Sequence, residues 1–138
     1  MKNINNILLV IASDNEDYYC KFINNYWIPF IDFIEKNNYS IKVFLLFGKK
    51  PKKFNNLKES NVIITNTKEN LQPGILEKTV CAFQKINEQY NYNYLIRTNL
   101  SSFFLIDNLL KVSENLPVND VYAGFFGTSR YVKNDIYI

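Results

Sequence analysis

Histidine is absent from the 138 residues, and that removes whole classes of chemistry. Without an imidazole the chain cannot build a histidine general base, a Ser-His triad or a His-ligated metal site from its own residues. Cysteine is scarce. Cys20 and Cys81 are the only two; they fall in different predicted helices, and their spacing is not that of a metal site. They read as small buried apolar residues in a reducing compartment. Glycine is scarce as well, with four residues, and no Gly-rich turn of the dinucleotide or P-loop type follows a predicted strand. No apolar run is long enough to span a membrane. "MKNINNILLVIASDNED" also lacks a small-residue cleavage site ahead of its acidic stretch. These features predict a soluble cytoplasmic protein with one domain over residues 1–138.

Charge is muted too. A net charge of +3 is too small to argue for nucleic acid. The densest cationic run, "GKKPKKF" with Lys49 to Lys53, reads either as a solvated loop or as one that contacts phosphate or acid. What the chain does have is aromatic side chains, at 16%, and a heavy use of Asn, Ile, Lys and Tyr typical of AT-rich coding sequence.

"ILLVIAS", residues 7–13, and "IKVFLLFG", residues 41–48, are continuous apolar runs of strand length. Runs apolar on both faces suit parallel strands covered by helices on each side. Between them, Tyr19, Phe22, Ile23, Tyr26, Trp27, Phe30, Phe33 and Ile34 recur at three- and four-residue spacing, the mark of an amphipathic helix. Glu16 and Asp17 complement its dipole at the start. Pro29 should kink or break it near Ile28, and Asn37-Asn38 should end it. "NVIITN", residues 61–66, predicts a short third strand. "PGILEKTVCAFQKINEQY" predicts a second helix with Pro73 near its first turn and Leu76, Thr79, Val80, Phe83, Ile86 and Tyr90 on one face. "YNYLIRTN" is a fourth strand, read as one to be buried. A helix capped by Asp107, carrying Leu109, Leu110 and Leu116, follows and stops at Pro117. "DVYAGFFG", residues 120–127, reads as a fifth strand, and "TSRYVKNDIYI" as a further one.

Strands alternating with helices predict an α/β fold, a Rossmann-like and mostly parallel sheet flanked by helices. Ligands in such sheets sit beyond the carboxyl ends of the strands. There the sequence offers Ala12-Ser13-Asp14, Gly48-Lys49-Lys50, Thr65-Asn66-Thr67, Arg97-Thr98-Asn99 and Gly124 to Gly127. Arg97 is the informative residue, because a charge near the end of an apolar strand is costly to bury unpaired. It reads as paired with Glu77 or Asp14, as a ligand-binding fork for carboxylate or phosphate, or as surface-exposed. Asn99, Ser101 and Ser102 read either as a turn and cap for the backbone or as donors and acceptors for sugar hydroxyls or diphosphate oxygens.

"YNYLIRTNLSSFFLIDNLL" followed by "VYAG" resembles the central segment of GT-A-type glycosyltransferases related to the β1,3-galactosyltransferase and Fringe group. "ENLQPGILEKTVCAFQKI" is similar to that group's Asn-Leu-x-x-Lys-Thr segment, and "ILLVIAS" and "VFLLFG" resemble its first two strands. The Asn-rich composition and the "RTNLSSF" form also resemble glycosyltransferase-like proteins of giant viruses. The resemblance implies the nucleotide-sugar-binding half of a GT-A fold. It implies Ala12 and Ser13 near the nucleotide and Lys78 and Arg97 at the diphosphate or supporting it, and it sets Asn99, Ser101 and Ser102 where they would meet sugar or phosphate by hydrogen bonds. The implied partners are a UDP- or GDP-sugar and a glycan or protein acceptor.

Two departures change the expected chemistry. The family's acidic metal-holding triplet is here Asn99-Leu100-Ser101, and hard divalent cations prefer carboxylate oxygens. A weak Mn or Mg site is the most this triplet implies, so Arg97, Lys78 or the Lys49–Lys53 loop would have to offset the leaving diphosphate's charge. The family's acceptor half, with its catalytic carboxylate, normally follows "VYAGFFG", where only Asp135 is acidic here. The sequence therefore carries two functional expectations. One is a transferase moving sugar to a hydroxyl. The other is a catalytically silent remnant acting as a binding module, with a homodimer covering exposed apolar surface.

Overall fold

A computed structural model describes residues 1–70 and 73–124, together with the backbone of 130–132 and 135–137. The chain divides into two compact units, Met1–Ile106 and Asp107–Ile138. The first holds a four-stranded, all-parallel sheet in the order β3 (Val62–Ile64), β2 (Ile41–Phe47), β1 (Lys2–Ile11), β4 (Tyr90–Asn99). The fold is α/β and Rossmann-like.

The central strands are the two apolar runs. β1 (Lys2–Ile11) carries five consecutive buried residues, and in β2 (Ile41–Phe47) every residue but Lys42 is buried. Both faces must therefore be covered. Ile7, Leu9, Phe44 and Leu46 pack with Ala82 and Ile86 of α3 (Gly74–Gln89) in one cluster. Leu8, Val10, Val43 and Leu45 point the other way and are equally buried. The helical segment after β1 offers its own buried stripe of Ile23, Trp27, Phe30, Ile31 and Ile34. Phe33, expected in that stripe, is 47% exposed, and Ile31 takes the inward position.

Pro29 acts as its chemistry demands. α1 (Asp17–Phe22) runs into a π turn, Ile23–Trp27, before α2 (Ile28–Lys36) begins with the proline in its first turn. A proline has no N–H to return to the preceding turn, and widening that turn by one residue lets the Ile28 N–H reach the Ile23 carbonyl instead. α2 then stops where the two asparagines stand. Asn38 adopts the left-handed conformation at φ 54°, which asparagine tolerates better than most residues, and its N–H closes on Glu35 O.

β3 is only Val62–Ile64. Buried Asn61 leads into it and donates its side-chain N–H to Val43 O at 3.0 Å, fastening β3 beside β2. β4 (Tyr90–Asn99) pairs with β1 on the other side, Leu9 facing Arg97 and Ile11 facing Asn99. Here the expectation of a buried strand is corrected. β4 lies at the sheet edge and none of its ten residues is fully buried. Arg97 is accordingly exposed, and among the described residues it forms no ion pair with Glu77, Asp14 or any other acid.

The inward face of α3 is also corrected. Leu76, Val80 and Phe83 are 67%, 47% and 36% exposed, while Lys78, Thr79, Ala82 and Ile86 are buried. In the second unit, α4 (Ile106–Glu114) takes in Asp107 within its first turn, so Asp107 does not precede the helix as a cap. Residues 120–124 are not strand, and Asp120 sits at φ 59°. The rest of that expected strand, 125–127, lies outside the described residues. Two short strands, β5 (Arg130–Val132) and β6 (Asp135–Tyr137), pair antiparallel. Asp135 opens β6, and its side chain lies outside the described residues.

Candidate functional site

The strand order reverses direction between β1 and β4. β1 leads outward to β2 and β3, and the chain then crosses back through α3 to β4 on the far side. At such a switch point the two connections leave in opposite directions and open a crevice beyond the strand ends. A cavity of about 450 Å3 occupies that place. The ends of β1 and β4 supply Ala12, Ser13, Asn99 and Ser101 to its wall, and α3 supplies Lys78. Five of the seven residues expected at the site therefore meet. Arg97 and Ser102 do not line the cavity, and neither does the Lys49–Lys53 loop.

Lys78 is the best-anchored of the five. Its side chain is 3% exposed, and its ammonium donates to Glu69 Oε2 and to Ala12 O, each at 2.8 Å. Glu69 is shared further. Its Oε1 accepts from the backbone N–H of Gly48 and, at 3.1 Å, of Lys49. One carboxylate thus joins the end of β2, the approach to α3 and, through Lys78, the end of β1. Gly48 is needed at this junction because a Cβ there would stand 2.6 Å from Thr67 O and 3.0 Å from Glu69 Oε1. Two of the three ammonium donors of Lys78 are taken, which leaves one for a ligand.

The Asn99 turn is organised around one oxygen. Asn99 Oδ1 accepts from Ser101 N–H at 3.2 Å, Ser101 Oγ at 2.9 Å and Ser102 Oγ at 3.1 Å. A backbone N–H can only donate, which fixes the amide oxygen toward the turn. The amide nitrogen then faces away from it, and that nitrogen has no hydrogen-bond partner among the described residues. The turn reading of these residues is correct, and the serines are largely committed to it. The segment that follows is pinned from α1–α2. Trp27 Nε1–H donates to Leu100 O at 2.9 Å, and the Tyr26 hydroxyl bonds both to Phe104 O and to Phe104 N–H.

Sequence reasoning missed the opposite wall. Tyr18, Tyr19 and Phe22 line the cavity, with the Tyr18 and Tyr19 rings 4.3 Å apart. The Tyr18 phenol is held above the usual tyrosine range, first by hydrogen bonding with the Tyr19 phenol and then by desolvation. Asn15, Glu69 and Asn70 were also missed. Glu69 could not be found from the face read for that helix, which left Lys78 off its inward side. Asp14, considered for Arg97, instead accepts the Lys52 N–H at 3.0 Å. Among the described residues no three His, Cys, Asp or Glu side chains gather as a metal site, and no helix is long and apolar enough to cross a membrane.

The wall is therefore aromatic on one side and lined with amides, hydroxyls and the buried Lys78 ammonium, paired with Glu69, on the other. That combination suits a ligand with a flat ring, several hydroxyls and an anionic centre. Compared with protein-family models, curated proteins and solved structures, the chain matches none.

Proposed function

We propose that the chain binds a nucleoside diphospho-sugar in this cavity and acts as a GT-A-like glycosyltransferase, passing the sugar to a hydroxyl of a glycan or protein acceptor. The observation that carries the reading is the cavity at the β1/β4 switch point, whose volume falls within the range of about 300–1,000 Å3 common to small-molecule sites. The rings of Tyr18 and Tyr19 suit a base. Ser13, Asn15 and Asn99 suit ribose and sugar hydroxyls. The remaining Lys78 donor and the first turn of α3, which contributes Ile75 to the wall, suit the diphosphate. Two free thiols, Cys20 and Cys81, support a cytoplasmic setting. The exposed stripe of Leu76, Val80 and Phe83 supports self-association as a homodimer.

A second reading has its own observation. Among the described residues Glu69 is the only carboxylate on the cavity wall, and Lys78 neutralises it. With no unpaired carboxylate on the described wall and no acidic metal cluster among the described residues, the same cavity fits a silent module that binds without turnover.

Ligand binding tests both. A bound ligand at about a hundred times its Kd stabilises by about 2.7 kcal/mol, which lifts Tm by about 5–10 °C for a chain of this size. UDP- or GDP-sugars should give that shift, and Ser13→Ala with Asn99→Ala should reduce it. No shift with any nucleotide sugar at millimolar concentration overturns both readings. A shift with sugar release in the presence of an acceptor supports the transferase, and a shift without release supports the silent module.

A further inference from the structure

A second cavity, of about 390 Å3, lies under the C-terminal half of α3, and Lys2, Lys42, Lys85, Phe44, Tyr90 and Glu59 are on its wall. Lys2, Lys42 and Tyr90 stand at the amino ends of β1, β2 and β4, at the opposite end of the sheet from the first cavity. β3 is too short to pair with this part of β2, because its first residue, Val62, lies opposite Leu45. The start of β2 is therefore left open beside α3.

The charges here are unbalanced. Among the described residues none of the three lysines has a carboxylate within ion-pair distance, and Glu59 pairs with none of them. Glu35, whose charge also acts on Lys42, is committed to Lys58 at 2.7 Å. The ammoniums are nevertheless held in place. Lys2 Nζ lies 5.9 Å from the Tyr90 ring centre and Lys42 Nζ 5.6 Å from that of Phe44, and the two rings contact each other edge-on at 5.6 Å. Lys85 Nζ donates to Ile64 O at 2.7 Å. Burial pushes the Lys42 ammonium below the usual lysine range, with Lys2 and Lys58 adding to the effect and Glu35 opposing it. Holding like charges together around a concave wall is costly unless an anion completes the set.

We infer that this cavity is a second ligand site, for a small phosphate-bearing anion carrying two or more negative charges. Three lysines against one glutamate leave two positive charges to balance. Ammonium groups are point-charge partners suited to phosphate oxygens. The concave shape favours a small molecule over a nucleic acid, which needs a continuous cationic track. The remaining lysine run, Lys49–Lys53, follows the opposite end of β2 and extends no such track. The site is independent of the sugar-nucleotide reading, because the two cavities share no residue.

Inorganic pyrophosphate is the probe, titrated into the 15N-labelled full chain and followed by amide chemical shifts. Saturable shifts at Lys42, Ile64 and Tyr90, with Ser13 and Asn99 unmoved, are expected. Lys42→Met and Lys85→Met should each weaken binding about tenfold, as expected for loss of one charge-assisted contact. Each should change Tm by only a few degrees, since the repelling charge it removes offsets the contact it gives up, the Lys85 bond to Ile64 O or the Lys42 contact with Phe44. Lys85 is exposed, so its variant keeps the test valid if the half-buried position proves intolerant. Shifts centred on Ser13 and Asn99, equal affinity in the variants, or no saturation at millimolar pyrophosphate would overturn the proposal. Tighter binding of an oligonucleotide or an acidic peptide than of pyrophosphate would overturn the ligand class.

Discussion

Trp27→Ala should destabilise the protein by about 3–5 kcal/mol, the usual cost of removing a large buried aromatic, and lower Tm by about 10–15 °C. Trp27 is fully buried and touches the rings of Tyr26, Phe30 and Phe104. Its truncation leaves a void that this rigid neighbourhood fills only in part. It also leaves the Leu100 carbonyl, in a residue only 4% exposed, without its donor. Trp27→Phe separates the two effects. It keeps most of the packing and removes the hydrogen bond, and should cost about 1–3 kcal/mol. Because Leu100 follows Asn99 directly, both variants should also weaken the proposed sugar-nucleotide binding by loosening the Asn99 turn. Circular dichroism is the appropriate readout, since this is the chain's one tryptophan and its fluorescence disappears with it. A Trp27→Phe protein as stable as the native one would show that the bond to Leu100 contributes nothing.

Lys78→Met should cost about 3 kcal/mol and abolish the ligand-induced Tm shift. Methionine keeps the stem's length and its apolar contacts, so the loss is that of the ammonium. Breaking a buried ion pair from one side is commonly worth about 3–5 kcal/mol, because the partner's charge is left uncompensated. The lower figure applies here because Glu69 keeps the Gly48 and Lys49 N–H donors. Adding Glu69→Gln to Lys78→Met should restore part of the loss, since the double variant buries no unpaired charge. A double-mutant cycle in urea gives the coupling. Additive single effects would show that the two groups do not depend on one another. Stability restored by the second substitution without recovered ligand binding would assign Lys78 a direct contact with the ligand.

Much of the fold was legible because its strongest signals are local. The apolar runs of β1 and β2, the acids opening α1 and the asparagines ending α2 each act within a few residues. The edge position of β4 is a property of topology, although its alternation of Tyr90, Tyr92 and Tyr94 with asparagine was a sign of a half-buried strand. The misread face of α3 has a different cause. Leu76, Val80 and Phe83 form the more apolar stripe, and the true inward stripe contains a lysine whose charge is cancelled by Glu69, nine residues away. At the site, strand-end residues such as Ser13 and Asn99 were predictable because parallel strands deliver their ends to one place. Tyr18, Tyr19 and Phe22 reach the cavity only because of the path α1 takes over the sheet. No spacing in the sequence encodes that path.

The register of β1 has a consequence for how the protein forms. Asn6 pairs with Ile41 on one side and with Tyr94 on the other, so the strand closes one short loop and one much longer one. The cost of closing a loop rises with its length, and pairings distant in sequence set the pace of folding. The first cavity lies across the longer closure, with Ala12 and Ser13 on one lip and Asn99 and Ser101 on the other. The site therefore depends on the pairing that spans the most sequence in the sheet, and β1 joined to β2 alone supplies only one of its two lips.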